Sequence, residues 1–253
     1  MIPPLKYFRA LEIASITKFP ENLAQSSVTF TLLVLSIGCY IGEYTTMQFV
    51  KLETDISIYK KATEINSADP EAYNNLGVAY GHQGKLDEAV AAFQSALTIT
   101  PDHAMVYNNL GNAYAGQGKL DEAITAYQQA IGIDPNYTMA HYNLGIVYGN
   151  QGQSDEAITA YQKAIEIDPN HTMAHYNLGI LYGKQGELDK AVSTLQKVIK
   201  IDPDHIKTYY NLGVLYGNQG QLDKAVLALQ KVIEIDPSHD TAHEVLQMLK
   251  ERS

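Results

Sequence analysis

Residues 70–103 read PEAYNNLGVAYGHQGKLDEAVAAFQSALTITPDH, and residues 104–137 read AMVYNNLGNAYAGQGKLDEAITAYQQAIGIDPNY. Laid over one another, they pair Leu76 with Leu110, Gly77 with Gly111, Tyr80 with Tyr114, Gly84 with Gly118, Ala89 with Ala123 and Pro101 with Pro135, each 34 residues apart. The offset continues through Leu144-Gly145, Leu178-Gly179 and Leu212-Gly213, while Pro169, Pro203 and Pro237 close the later units without an insertion. Self-similarity at a fixed period of this length marks a stacked array rather than one globular core.

Each unit reads as two amphipathic helices. Ala72, Leu76, Ala79 and Tyr80 share one helical face, and Leu86, Ala89, Val90, Phe93, Ala96 and Leu97 share another. Gly84 falls where the first helix must stop, at a place that favours the left-handed conformation. Asp87 and Glu88 put negative charge on the first turn of the second helix, where its dipole welcomes it. Pro101 ends that helix by forcing the residue before it out of helical geometry. Gly77 and Ala89 leave little side chain between the paired helices, so the backbones approach while Tyr80 and Phe93 fill the space around the crossing.

This pattern resembles the tetratricopeptide repeat (TPR), a helix-turn-helix unit. The resemblance covers residues 70–239 as five units, 70–103, 104–137, 138–171, 172–205 and 206–239. It departs from the family pattern at the fourth repeat position, where Tyr73, Tyr107 and Tyr209 alternate with His141 and His175, and near the end of two second helices, at Val198 and Val232. Residues 54–66 resemble the second helix of a degenerate unit, inside a linker and half repeat over 45–69. Residues 240–253 read as a capping helix that covers the last apolar face. The fold expected is all-α: a right-handed TPR α-solenoid preceded by an N-terminal hydrophobic helix.

Composition agrees with a repeat. Among 253 residues the aromatics are 18 Tyr, 5 Phe and no Trp, as when one short pattern is written many times. The single cysteine excludes an internal disulfide, and no Cys pairs accompany the eight histidines to form a zinc module. A net charge of −10 speaks against a nucleic-acid partner.

Residues 1–21 read as a tail. From Asn22 to Gly42 there are 21 residues without a formal charge, a length that matches a hydrocarbon core of roughly 30 Å. Residues 22–44 therefore read as a transmembrane helix or signal anchor. Two other readings stay open: Leu35-Ser36-Ile37-Gly38-Cys39 resembles a bacterial lipobox with Cys39 as the lipidated residue, and the same stretch suits a helix packed within a soluble protein. With three basic residues on either side, orientation is weakly encoded; a cytoplasmic N-terminus and an extracytoplasmic repeat domain are the expectation.

The TPR resemblance implies a concave groove lined by repeat positions 2, 5, 6, 9, 12 and 13 of the first helices. Position 6 is Asn75, Asn109, Asn143, Asn177 and Asn211. A carboxamide both donates and accepts, so such a row can hold an extended peptide backbone whatever its sequence, or else bond to neighbouring helices and shape the groove. The row resembles the asparagine ladder in the superhelix of O-linked N-acetylglucosamine transferases. Position 5 is Asn74, Asn108, Tyr142, Tyr176 and Tyr210, and position 9 is Val78, Asn112, Ile146, Ile180 and Val214. Met105, Met139 and Met173 at position 2 add adaptable apolar surface. Only Lys184 and Lys207 bring positive charge to the groove, which speaks against the carboxylate clamp of chaperone cofactors in this family.

His103, His171, His205 and His239 fall in inter-repeat loops and read as solvated, while His141 and His175 read as packing residues rather than metal ligands. There is no P-loop, G-x-G-x-x-G, G-x-S-x-G or H-E-x-x-H motif. The function expected is a non-catalytic, membrane-tethered scaffold that binds protein or peptide segments, without cofactor, metal, small-molecule substrate or nucleic acid. The alternative is a TPR chaperone for one dedicated membrane client, resembling lipid-anchored pilotins or photosystem assembly factors.

Overall fold

The computed structural model describes residues 55–250. The tail, the hydrophobic segment 22–44 with Cys39, and the start of the linker lie outside the described residues. Among those described, twelve helices and no strand are present. They are α1 (55–65), α2 (Pro70–His82), α3 (Leu86–Ile99), α4 (Ala104–Gly116), α5 (Leu120–Ile133), α6 (Thr138–Asn150), α7 (Ser154–Ile167), α8 (Thr172–Lys184), α9 (Leu188–Ile201), α10 (Ile206–Asn218), α11 (Leu222–Ile235) and α12 (Asp240–Lys250). None of these is long and apolar enough to cross a membrane.

Local chemistry sets the boundaries. Pro70 opens α2, where its missing N–H is no loss, and the Asp69 carboxylate accepts from Glu71 N and Ala72 N at 3.0 and 3.3 Å. Gly84 then turns the chain with φ +73, and the four equivalent glycines have φ between +71 and +79. Each second helix from α5 onward ends at an aspartate before proline: Asp134, Asp168, Asp202 and Asp236. Asp134 Oδ1 accepts from Asn136 N at 3.0 Å, so one side chain both stops a helix and shapes the turn into the next repeat.

Within each hairpin the crossing is as tight as the small residues predict. A Cβ on Gly77 would lie 2.6 Å from the Phe93 ring, and one on Gly111 would lie 2.5 Å from Tyr127. Gly145 faces Tyr161, Gly179 faces Leu195 and Gly213 faces Leu229 in the same way. Ala89, Ala123, Ala157, Ala191 and Ala225 are fully buried. Buried side chains continue from hairpin to hairpin along the stack, and Ala242, Leu246 and Leu249 of α12 pack against its end. The described residues thus form an all-α TPR solenoid.

Candidate functional site

Adjacent repeats are joined by three rows of side-chain hydrogen bonds, two of which lie away from the first-helix face. In one, Gln94, Gln128, Gln162 and Gln196 donate to the hydroxyls of Tyr114, Tyr148, Tyr182 and Tyr216 of the following repeat, at 2.9–3.3 Å. In the other, Gln117, Gln151, Gln185 and Gln219 donate back to Asp87, Asp121, Asp155 and Asp189 at 2.7–3.4 Å. These aspartates, which sit at second-helix starts, therefore also tie one repeat to the next.

The third row is the asparagine ladder. Asn109 Nδ2 donates to Asn74 Oδ1 at 3.0 Å and Asn143 Nδ2 to Asn108 Oδ1 at 2.9 Å. Farther along, Asn177 Nδ2 donates to the Tyr142 hydroxyl at 3.4 Å and Asn211 Nδ2 to the Tyr176 hydroxyl at 3.0 Å. Asn109, Asn143, Asn177 and Asn211 thus bond to the neighbouring first helix, the second of the two roles the sequence leaves open. Their N–H groups organise the wall, and they remain half-buried rather than enclosed.

Position 5 divides the face. Asn74 and Asn108 are each only 4% exposed, so they support the ladder from beneath instead of presenting amides to a ligand. The reason is length: an Asn at this position ends between the repeats, whereas Tyr142, Tyr176 and Tyr210 reach out and stay half-buried. Asn112 is exposed, and its Oδ1 accepts from the Tyr127 hydroxyl at 2.7 Å and from Asn143 at 3.1 Å. Ile146 and Ile180 are half-buried and Val214 exposed, while Met105, Met139 and Met173 are each 44% exposed. Lys184 and Lys207 are exposed.

The loop histidines correct the expectation of solvated rings. His171, His205 and His239 pack against Tyr142, Tyr176 and Tyr210, with ring centroids 4.7, 5.1 and 5.5 Å apart. His171 Nδ1 and His239 Nδ1 also accept the backbone N–H of Ala174 and Ala242. His171 and His239 thus cap helix starts while backing groove tyrosines, and His205 backs Tyr176 with its Nδ1 2.7 Å from Thr208 Oγ1. His103 differs, with Nε2 3.1 Å from Glu71 Oε1. His141 and His175 are buried and bond through Nε2 to the carbonyls of Pro135 and Pro169 at 3.0 Å.

Burial governs the tyrosine electrostatics. It pushes the Tyr127 hydroxyl far up and Tyr161 to about 12, the latter reinforced by neighbouring Tyr142 and opposed by the bond from Asn177. Tyr142 is raised by burial and drawn partly back by its own bond from Asn177.

The sequence pattern of the TPR repeat family matches residues 82–118, 111–152, 150–186 and 181–220, and further tetratricopeptide repeat patterns match 58–91 and 206–239. The chain belongs to the tetratricopeptide repeat family, whose solenoid is a scaffold for protein interaction. Among solved structures it is similar to YrrB, described as a TPR protein with an unusual peptide-binding site, at 30% identity and TM-score 0.62, over 75% of this chain and 97% of that one. It is also similar to MamA at 29% identity and TM-score 0.61, over 66% and 97% of the two chains. PilF of Pseudomonas aeruginosa, at 18% identity and TM-score 0.68 over 81% and 93%, shares the fold. No curated protein matches the sequence significantly.

Proposed function

We propose that this protein is a non-catalytic scaffold whose first-helix groove holds extended segments of partner proteins, and that residues 22–44 tether it to a membrane. The observation that carries the groove reading is the ladder. An extended segment needs partners for its backbone N–H groups, and a regular row of half-buried carboxamides supplies acceptors at one per repeat. Tyr142, Tyr176, Tyr210, Ile146, Ile180, Met139 and Met173 add apolar burial beside it, and the peptide-binding site in YrrB's description supports the same use here.

Replacing Asn143, Asn177 and Asn211 together with Ala should abolish enrichment of peptides from a displayed random library while leaving helical circular dichroism intact. The melting midpoint should fall modestly, because each asparagine also donates to the preceding repeat. Equal enrichment by the parent and the triple variant would defeat the groove reading.

A further inference from the structure

One row of the first helices changes character along the array. Repeat position 2 is Glu71, Met105, Met139, Met173 and Lys207, and all five residues are exposed. A carboxylate stands at one end, an ammonium at the other, and three thioethers lie between. Glu71 meets His103 at 3.1 Å, yet its side chain is still 61% exposed. Lys207 has no ion pair among the described residues.

Each member of this row lies one helical turn before a member of the asparagine ladder, so Met105 neighbours Asn109, Met139 neighbours Asn143 and Lys207 neighbours Asn211. The carbonyl oxygens of Asn109, Asn143 and Asn211 have no hydrogen-bond partner among the described residues, where the hydrogen bonds of these side chains all run through Nδ2. Free acceptors favour an occupant whose own backbone N–H groups are unpaired. An extended segment meets that condition and a helix, bonded internally, does not.

Register sets the spacing. Two Asn side chains meeting across α2 and α4 put those axes about 10 Å apart, and an extended chain covers that distance in about three residues. Resting on the groove reading above, we infer that this row takes an extended partner segment of about thirteen residues with an apolar side chain at every third position over the three methionines. A basic residue lies over Glu71 and an acidic one over Lys207. The methionines set apolar selectivity, and the two end charges select against a segment carrying the same sign at both ends.

The test uses the full chain at low ionic strength and labelled peptides of about thirteen residues with Leu at every third position. One peptide has ends of opposite charge, one has two acidic ends and one has two basic ends, so the result is independent of the direction in which a peptide lies. By fluorescence anisotropy the parent should bind the opposite-ended peptide about threefold more tightly than either other, the scale of exposed ion pairs. Glu71→Lys should move the preference to two acidic ends, and Lys207→Glu to two basic ends. Equal affinity for all three peptides in parent and variants would overturn the end assignment and leave the groove reading standing. Helical circular dichroism gained on binding would overturn the extended occupant. If none of the peptides bound and the triple Asn variant enriched library peptides as well as the parent does, the groove reading would fall too.

Discussion

Gly77 shows what one missing side chain does. The Phe93 ring occupies the space its Cβ would need and is itself only 3% exposed, so neither partner has room to yield. Gly77→Leu should cost roughly 1–3 kcal/mol through overpacking, and a thermal melt with an unchanged midpoint would argue against so close a crossing. Tyr161 is the second case. Its folded pKa is raised to about 12, so the folded state holds the phenolic proton more tightly than the unfolded chain does. The resulting stability is complete below about pH 10, the ordinary tyrosine value, and is lost as pH rises toward 12. Tyr161→Phe should therefore flatten the alkaline fall in denaturant midpoint; an alkaline limb as steep as the parent's would contradict the assignment.

Between elements, the hairpins are legible from spacing and the bonds that join them are not. Gly84, Asp87 and Pro101 mark their helix boundaries from sequence alone, because a left-handed turn, a helix dipole and a proline ring act on the nearest few residues. The partner of Gln117 is Asp87, 30 residues earlier, and only the packed stack brings the two to 2.7 Å. Gln117 Oε1 is buried without a partner among the described residues, so the side chain is held through its amide N–H. Gln117→Glu would exchange that donor for a second carboxylate facing Asp87. A loss of about 1–3 kcal/mol in chemical denaturation is expected. A variant as stable as the parent would show that this row contributes nothing to repeat stacking.

Over the whole molecule, stacking decides which polar groups serve the wall and which serve a partner. The face passes from buried Asn74 and Asn108 to protruding Tyr142, Tyr176 and Tyr210, each backed by the histidine that closes its own repeat, so its two halves differ in depth and polarity. At the far end α12 covers the last hairpin with Ala242, Leu246 and Leu249, as a capping helix does. The proposed tether belongs to this scale as well. The uncharged run Asn22–Gly42 should keep the full chain in the membrane pellet through an alkaline carbonate wash, and deletion of residues 22–44 should release it. Recovery of the full chain in the wash would remove the tether.

The sequence by itself determined the hairpin, its period and its family, because a helix-turn-helix unit is specified by short-range chemistry repeated at a constant offset. It also singled out the asparagines and methionines of the first-helix face. Only the tertiary structure decided that the Asn N–H groups are spent between repeats, that two position-5 asparagines lie beneath the surface, and that the loop histidines back the tyrosines. Those outcomes depend on side-chain reach once the helices and units are packed together, which spacing along the sequence does not give.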